Sequence, residues 1–293
     1  MANNTRDLRR QIRSVRNTAQ LTRAMKMVSA AKLRRAQEAM LAARPYAETL
    51  RRVLADVALR ARPELNPLLA VRPERKVDLI VLCGDRGLAG AFNANILRTA
   101  DHWRAAREEG GTAVSLTIVG RKAADYYKRR PGAAVRRRLT DVSRLEPAAL
   151  ARDLSDEARA RFVGGEADAV FVVYNQFRST ISQKVVVEPL LPLAEVAGRE
   201  PASFLREGID FLYEPEAERL LAGLLERYVA FSVLHSLLES GAAEHAARMT
   251  SMDNATRNAN ELISKLTLLL NRIRQASITN EIIEVVSGAN ALG

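Results

Sequence analysis

The sequence predicts an α/β protein: a long antiparallel coiled coil of N- and C-terminal helices with an inserted Rossmann-like α/β domain. Three observations point to it. Apolar residues recur at a 3.5-residue period over both ends of the chain, which marks a coiled-coil seam. Between the ends, apolar runs of strand length alternate with helical segments, as in a mostly parallel sheet with right-handed crossovers. Finally, residues 216–293 contain no proline. One helix over them would be about 110 Å long at ~1.5 Å per residue, so it is either broken or a shaft. The expected division is 1–60 for the N-terminal helix, 74–208 for the inserted domain and 209–293 for the C-terminal helix.

The first helix is expected over residues 3–59, with Asn4 or Thr5 as its cap. Stepping by four and three from Leu8 to Val57 visits fifteen positions, twelve of them apolar. The exceptions are Thr22, Lys26 and Ser29. Around them Leu21, Met25 and Val28 carry apolar surface one position earlier, so the seam is expected to change face there. Pro45 is expected to kink the helix, because it has no N–H and crowds the preceding turn. Pro63, Pro67 and Pro73 mark a linker.

Composition then changes. Residues 77–83 (VDLIVLC) form an apolar, β-branched strand suited to burial on both faces. Helices are expected at 93–109, 121–129 and 146–163, and strands at 114–119, 135–139 and 169–174, with an edge strand at 184–190. Residues 209–214 lead to Pro215, well placed for the first turn of the last helix. In that helix the same stepping from Leu224 to Ile273 again finds twelve apolar positions in fifteen. The two seams are each other's obvious partners. The last helix is longer, so its final turns would outrun the pairing.

Composition bounds the function. With 47% hydrophobic and 27% charged residues the chain is a soluble folded protein. No apolar run approaches the ~18–20 residues of a membrane span, and MANNTRDLRR is not a secretory signal. Cys83 is the only cysteine, which excludes an intrachain disulfide and a cysteine metal cluster. Net charge is +11, and residues 1–60 hold 14 Arg or Lys against four acids. Such a stripe is either a solvated helix face or an attractor of a polyanion: nucleic acid, lipid headgroups or an acidic protein.

Chemistry-bearing motifs are few. The loop Gly84-Asp85-Arg86-Gly87-Leu88-Ala89-Gly90 follows a strand and precedes a helix, where phosphate loops occur. Its spacing is not GxGxxG and no Gly-Lys-Ser/Thr follows, so positive φ in a tight turn explains the glycines better. Asp85 and Arg86 are read as an ion pair or loop anchor rather than catalytic groups. His235 and His245 are ten apart on the seam, too far for a shared metal. No catalytic triad or carboxylate pair stands out, so no catalytic residue, cofactor or metal is expected. Beyond Arg272, Arg274 and Gln275, an apolar tip (Ile278, Ile282, Ile283, Val285, Val286, Leu292) would be an aggregation liability unless a partner encloses it.

Residues 13–36 (RSVRNTAQLTRAMKMVSAAKLRRA), 83–96 (CGDRGLAGAFNANI) and 244–292 (from EHAARMTSMDNATRNA to RQASITNEIIEVVSGANAL) resemble the gamma subunits of F-type ATP synthases. The likeness covers essentially the whole chain, and the terminal motifs are the specific ones. It implies a non-catalytic rotor shaft that couples proton-driven c-ring rotation to ATP synthesis in a hexamer of three alpha and three beta subunits. The epsilon subunit and c-ring would lie below. By the same resemblance Met25, Lys26, Arg274, Gln275, Thr279 and Glu281 contact the stator. Ile278, Ile282, Val285 and Val286 fill a hydrophobic sleeve, and Phe211, Tyr213 and Glu214 belong to the foot near epsilon and the c-ring. Ala89-Gly90-Ala91 departs from the family's frequent Cys-Gly-Gly. There is no paired-cysteine insertion of the chloroplast kind. The implied setting is peripheral, on the cytoplasmic face of a bacterial plasma membrane, with neither a nucleic acid nor a small-molecule substrate as partner. The rival is a nucleic-acid-binding coiled coil, which leaves the apolar tip unexplained and lacks interleaved aromatics for base stacking.

Overall fold

A computed structural model describes residues 2–58, 61, 66–193 and 216–292, with side chains at 5–58, 61, 66–193, 216–283 and 285–287. In chain order its elements are α1 (Ala2–Ala58), β1 (Lys76–Leu82), α2 (Phe92–Glu109), β2 (Ala113–Val119), α3 (Arg121–Lys128), β3 (Ala134–Leu139), α4 (Pro147–Val163), β4 (Ala169–Phe177), β5 (Gln183–Leu191) and α5 (Ala217–Leu292). Each predicted strand and helix is present within a few residues of its expected bounds. The chain divides into two compact units, Ala31–Ala247 and Met1–Ala30 with Arg248–Gly293.

The larger unit is built on a five-stranded sheet in the order β3-β2-β1-β4-β5. All pairings are parallel except the β5 edge, which runs antiparallel to β4. β1 is central, and six of its seven residues are buried, as its unbroken apolar run requires. One sheet face (Leu79, Val81, Leu116, Ile118) packs on Phe92 and Ile96 of α2 and Ala123 and Tyr127 of α3. The other (Ile80, Leu82, Val172, Tyr174) packs on Leu154 and Phe162 of α4, Leu54 and Val57 of α1, and Leu225 and Val229 of α5. Each fully buried Leu, Ile, Val or Phe contributes about 1.5–3 kcal/mol relative to an exposed one, so this two-sided core holds the unit. Its one inward polar group on β1 is satisfied. Asp78 accepts from Arg161 Nε at 2.6 Å and from the Ser115 hydroxyl.

Two expectations are revised in this unit. The proline stretch is not only a linker: Asn66 Oδ1 caps a 3-10 turn at Pro67–Leu69, accepting from Leu68 N–H at 3.0 Å, and Leu68 and Leu69 join the core. α1 stays helical through Pro45. Contrary to the sequence estimate, α5 is long and apolar enough to cross a membrane by length and composition. Leu221, Leu225, Val229 and Val233 instead place its first turns in the core.

The smaller unit consists of the first part of α1 and the last part of α5. Thr22 and Thr256 hydroxyls meet at 2.7 Å and Lys26 Nζ lies 2.5 Å from Asp253. Four residues forward on α1 correspond to three back on α5, so the helices run antiparallel, as predicted. The predicted change of seam face does not occur. Thr22 and Ser29 are buried while Leu21 and Val28 are 62% and 57% exposed. The seam continues straight through its polar positions because those positions have partners: Thr22 has Thr256 and its own Ala19 carbonyl, and Ser29 has the Met25 carbonyl. A satisfied hydroxyl loses little on burial.

Candidate contact surfaces and the glycine loop

On the last turns of α5 the half-buried stripe is Ile263, Leu266, Leu270, Ile273 and Ser277, each three or four residues apart. Among the described residues Ser277 is the last half-buried position of this stripe, one step beyond the sequence estimate. Arg274, Gln275, Ile278, Thr279, Glu281, Ile282, Val285 and Val286 are all exposed. At about 100° per residue they fall within an arc of roughly 160°; Glu281, at one edge, lies in line with the shielded stripe and the other seven lie beside it. The structure thus brings the predicted polar contacts and the predicted apolar tip onto one side of one helix. Val285 is 73% exposed. Local bonds hold the polar members: Thr279 Oγ1 donates to the Gln275 carbonyl at 3.0 Å, and Ser277 Oγ donates to Glu281 Oε1 at 3.3 Å.

Sequence reasoning missed Leu268. It is 71% exposed and lies on the same side as Gln275, Thr279, Ile282 and Val286, extending the arc toward the seam-paired turns. Its signal was available: Leu268 stands off the heptad positions Leu266 and Leu270, so a one-partner helix cannot cover it. On α1, Leu21, Met25 and Val28 share a second stripe at i, i+4, i+7 beside the seam. Met25 is half-buried and the other two are exposed, so the apolar surface predicted as a displaced seam is an outward one.

Lys26 is engaged within the chain. Its ammonium pairs with Asp253, and both side chains are about two-fifths exposed. Arg257 adds a longer contact to Asp253 at 3.6 Å. The hydrogen bond from Lys26 holds the Asp253 carboxyl below its usual range. Phe211, Tyr213 and Glu214 lie outside the described residues.

The glycine loop is a structural knot. Asp85 accepts backbone N–H bonds from Arg121, Asp141 and Ser143 at 2.9–3.0 Å. It thereby ties the exit of β1 to the start of α3 and to the turn after β3. Burial alone would raise its carboxyl, but the N–H donors, Ser143 first, pull it below the usual range. This fulfils the expected anchoring role. The Gly84 N–H is taken by Asn93 Oδ1 at 2.9 Å. Positive φ, the expected reason for the glycines, holds only at Gly90. At Gly84 the reason is space, since a Cβ there would lie 2.8 Å from the Glu244 carboxylate. Two carboxylates thus occupy the sheet end where a phosphate would have to approach, and repel it. Among the described residues no group of His, Cys, Asp and Glu is arranged to hold a metal. Burial, with Glu244 nearby, pushes the Cys83 thiol far up, so it is inert.

Comparison with known proteins agrees with this geometry over the whole length. The family model described as ATP synthase matches residues 4–292. The chain is 48% identical over 290 residues to the ATP synthase gamma chain of Anaeromyxobacter sp. (strain K), covering 98% of each. It is 46% identical over 287 residues to that of Moorella thermoacetica (strain ATCC 39073 / JCM 9320), again with 98% of each covered.

The chain belongs to the ATP synthase gamma chain family.

Solved structures agree in fold. A chain of the Tetrahymena thermophila mitochondrial ATP synthase central stalk and c-ring matches with a TM-score of 0.59 at 26% identity, over 80% of this chain and 99% of that one. A chain of the Euglena gracilis mitochondrial ATP synthase matches with a TM-score of 0.69 at 18% identity, over 100% and 95%. Membership in the gamma chain family spans both the paired helices and the sheet, so neither region is an unrelated addition. The nucleic-acid reading finds no support among these relatives.

Proposed function

We propose that the chain is the central rotor shaft of an F-type ATP synthase, coupling c-ring rotation to ATP synthesis while carrying no catalytic site. The carrying observation is the side of α5 that holds Arg274, Gln275 and the apolar residues 278–286, which is exposed in the chain alone. A surface of that composition demands enclosure, and full-length likeness to gamma chains supplies its class. An alpha/beta hexamer would surround these turns, and epsilon and the c-ring would hold the other end. The shaft lacks threefold symmetry, so each beta subunit would meet a different face of it in turn. The basic residues of α1 would give weak, sliding attraction to acidic stator loops, of order 0–1 kcal/mol for each exposed pair. Placement on the cytoplasmic face of a bacterial plasma membrane is the reading supported by the likeness to bacterial gamma chains.

The test is ATP-driven proton pumping by reconstituted complex. Arg274→Ala or Gln275→Ala is expected to impair coupling or assembly more than any single Arg→Ala change at residues 6–16. Equal losses in the two sets would overturn the assignment. Co-purification with three alpha and three beta chains per copy is expected. Specific, salt-resistant binding of the chain to duplex nucleic acid, with no such co-purification, would favour the rival.

A further inference from the structure

Within the larger unit, α5 carries a carboxyl that neither the core nor the contact surfaces account for. The Glu239 side chain is 10% exposed, and its Oε2 has no hydrogen-bond partner. The groups facing it come from four elements. On α5 itself, His235 Nε2 lies 3.4 Å from Glu239 Oε1. On β4, the Phe177 backbone N–H donates to the carboxyl. On β5 stands a second carboxylate, Glu188, which accepts from the Tyr174 hydroxyl at 3.0 Å. From α1, Arg44 lends positive potential to Glu239, and Arg44 and Arg51 lend it to His235. Neither arginine forms an ion pair with these carboxylates among the described residues. A mostly buried carboxyl, a half-buried second carboxyl and a partly exposed imidazole therefore lie together without a bonded cation. Tyr174 serves Glu188, so Glu239 is left without a side-chain donor. We propose that Glu239, Glu188 and His235 form a proton-binding site between α5 and the β4–β5 edge, and that loading it sets how firmly α5 packs there.

The physical basis is that two like charges in a low-dielectric space do not ionise together. A proton taken from water onto Glu239 removes the repulsion and leaves a neutral O–H that can point at His235 Nε2. Burial first, and Glu188 second, push Glu239 up to about 7. Burial pulls His235 down, which keeps the imidazole neutral as the acceptor. The two groups act on stability with opposite signs. Glu239, raised in the folded chain, stabilises below its ordinary value of 4.5 relative to its charged state. That contribution is lost as pH rises through about 7. His235, lowered in the folded chain, disfavours folding only as pH falls below its ordinary value of 6.5.

Carboxyl carbon NMR of the full-length wild-type chain tests the site without relying on a variant to fold. One glutamate carboxyl is expected to titrate near pH 7. The midpoint should fall by about one pH unit in Glu188→Gln, which removes the neighbouring charge. Every glutamate titrating below about pH 5.5 would overturn the site. Thermal unfolding tests the packing claim. Between about pH 6 and about pH 8.5, the wild-type melting temperature is expected to drop by roughly 3 °C more than that of Glu239→Gln. Parallel curves would overturn the packing claim even with the titration in place.

Discussion

The two compact units use apolar residues in opposite ways. In the unit over 31–247, Leu79, Leu116, Ile118 and Val173 are fully buried, and helices cover the sheet on both faces. In the unit formed by 1–30 and 248–293, Leu268 and Val285 are more than two-thirds exposed. A helix with one helical partner protects one stripe. Whatever apolar residues it carries elsewhere must face solvent or another molecule. Apolar side chains are therefore buried for stability in the first unit and left exposed on the uncovered faces of the second, where every aromatic is also absent.

The sharpest way to break that comparison is a pair of truncations. Leu116→Ala is expected to cost about 3 kcal/mol in urea unfolding of the full chain, by transfer and cavity terms. Leu268→Ala is expected to change it by less than ~0.5 kcal/mol while weakening association with the hexamer. Equal losses of stability in the two variants would refute the division.

A smaller effect is expected at Asp85, where the larger unit depends on a charge. Asp85→Ala removes three N–H bonds and should cost ~2 kcal/mol, part of the interaction being screened by solvent. The sign with pH follows from its lowered carboxyl. The contribution is present above the ordinary value of 3.8 and is lost as pH falls through the lower folded value. Melting of wild type and variant should converge between about pH 6 and about pH 3; a constant gap would show that the anchor acts by shape and not by charge.

The smallest effect is expected at the Lys26–Asp253 pair. Both partners are substantially exposed, so Lys26→Ala should shift the melting temperature by less than ~2 °C, and less still in high salt. A larger, salt-independent shift would mean that the smaller unit relies on polar pairing more than its exposure implies.

Much of the fold was legible because it rests on periodicity. The 3.5-residue stripes at Leu8–Val57 and Leu224–Ile273 and the β-branched runs of β1, β2 and β4 are local patterns with one stable use each. The side of α5 proposed for contact was legible for a similar reason, since Ile278, Ile282 and Val286 continue past the end of the seam. Its extension to Leu268 was not seen, because a leucine inside a leucine-rich run reads as core until the number of partners is known.

The sequence by itself determined the two long helices, their antiparallel pairing and the alternating sheet between them, because hydrophobic period dictates which faces must be covered. Only the tertiary structure decided that the seam runs straight through Thr22, Lys26 and Ser29, that Gly84 makes room for Glu244, and that Glu239 shares its space with Glu188. Each depends on a partner far away in the chain. The energy of a polar or small residue is set by whether that partner is there, and no local pattern carries that information.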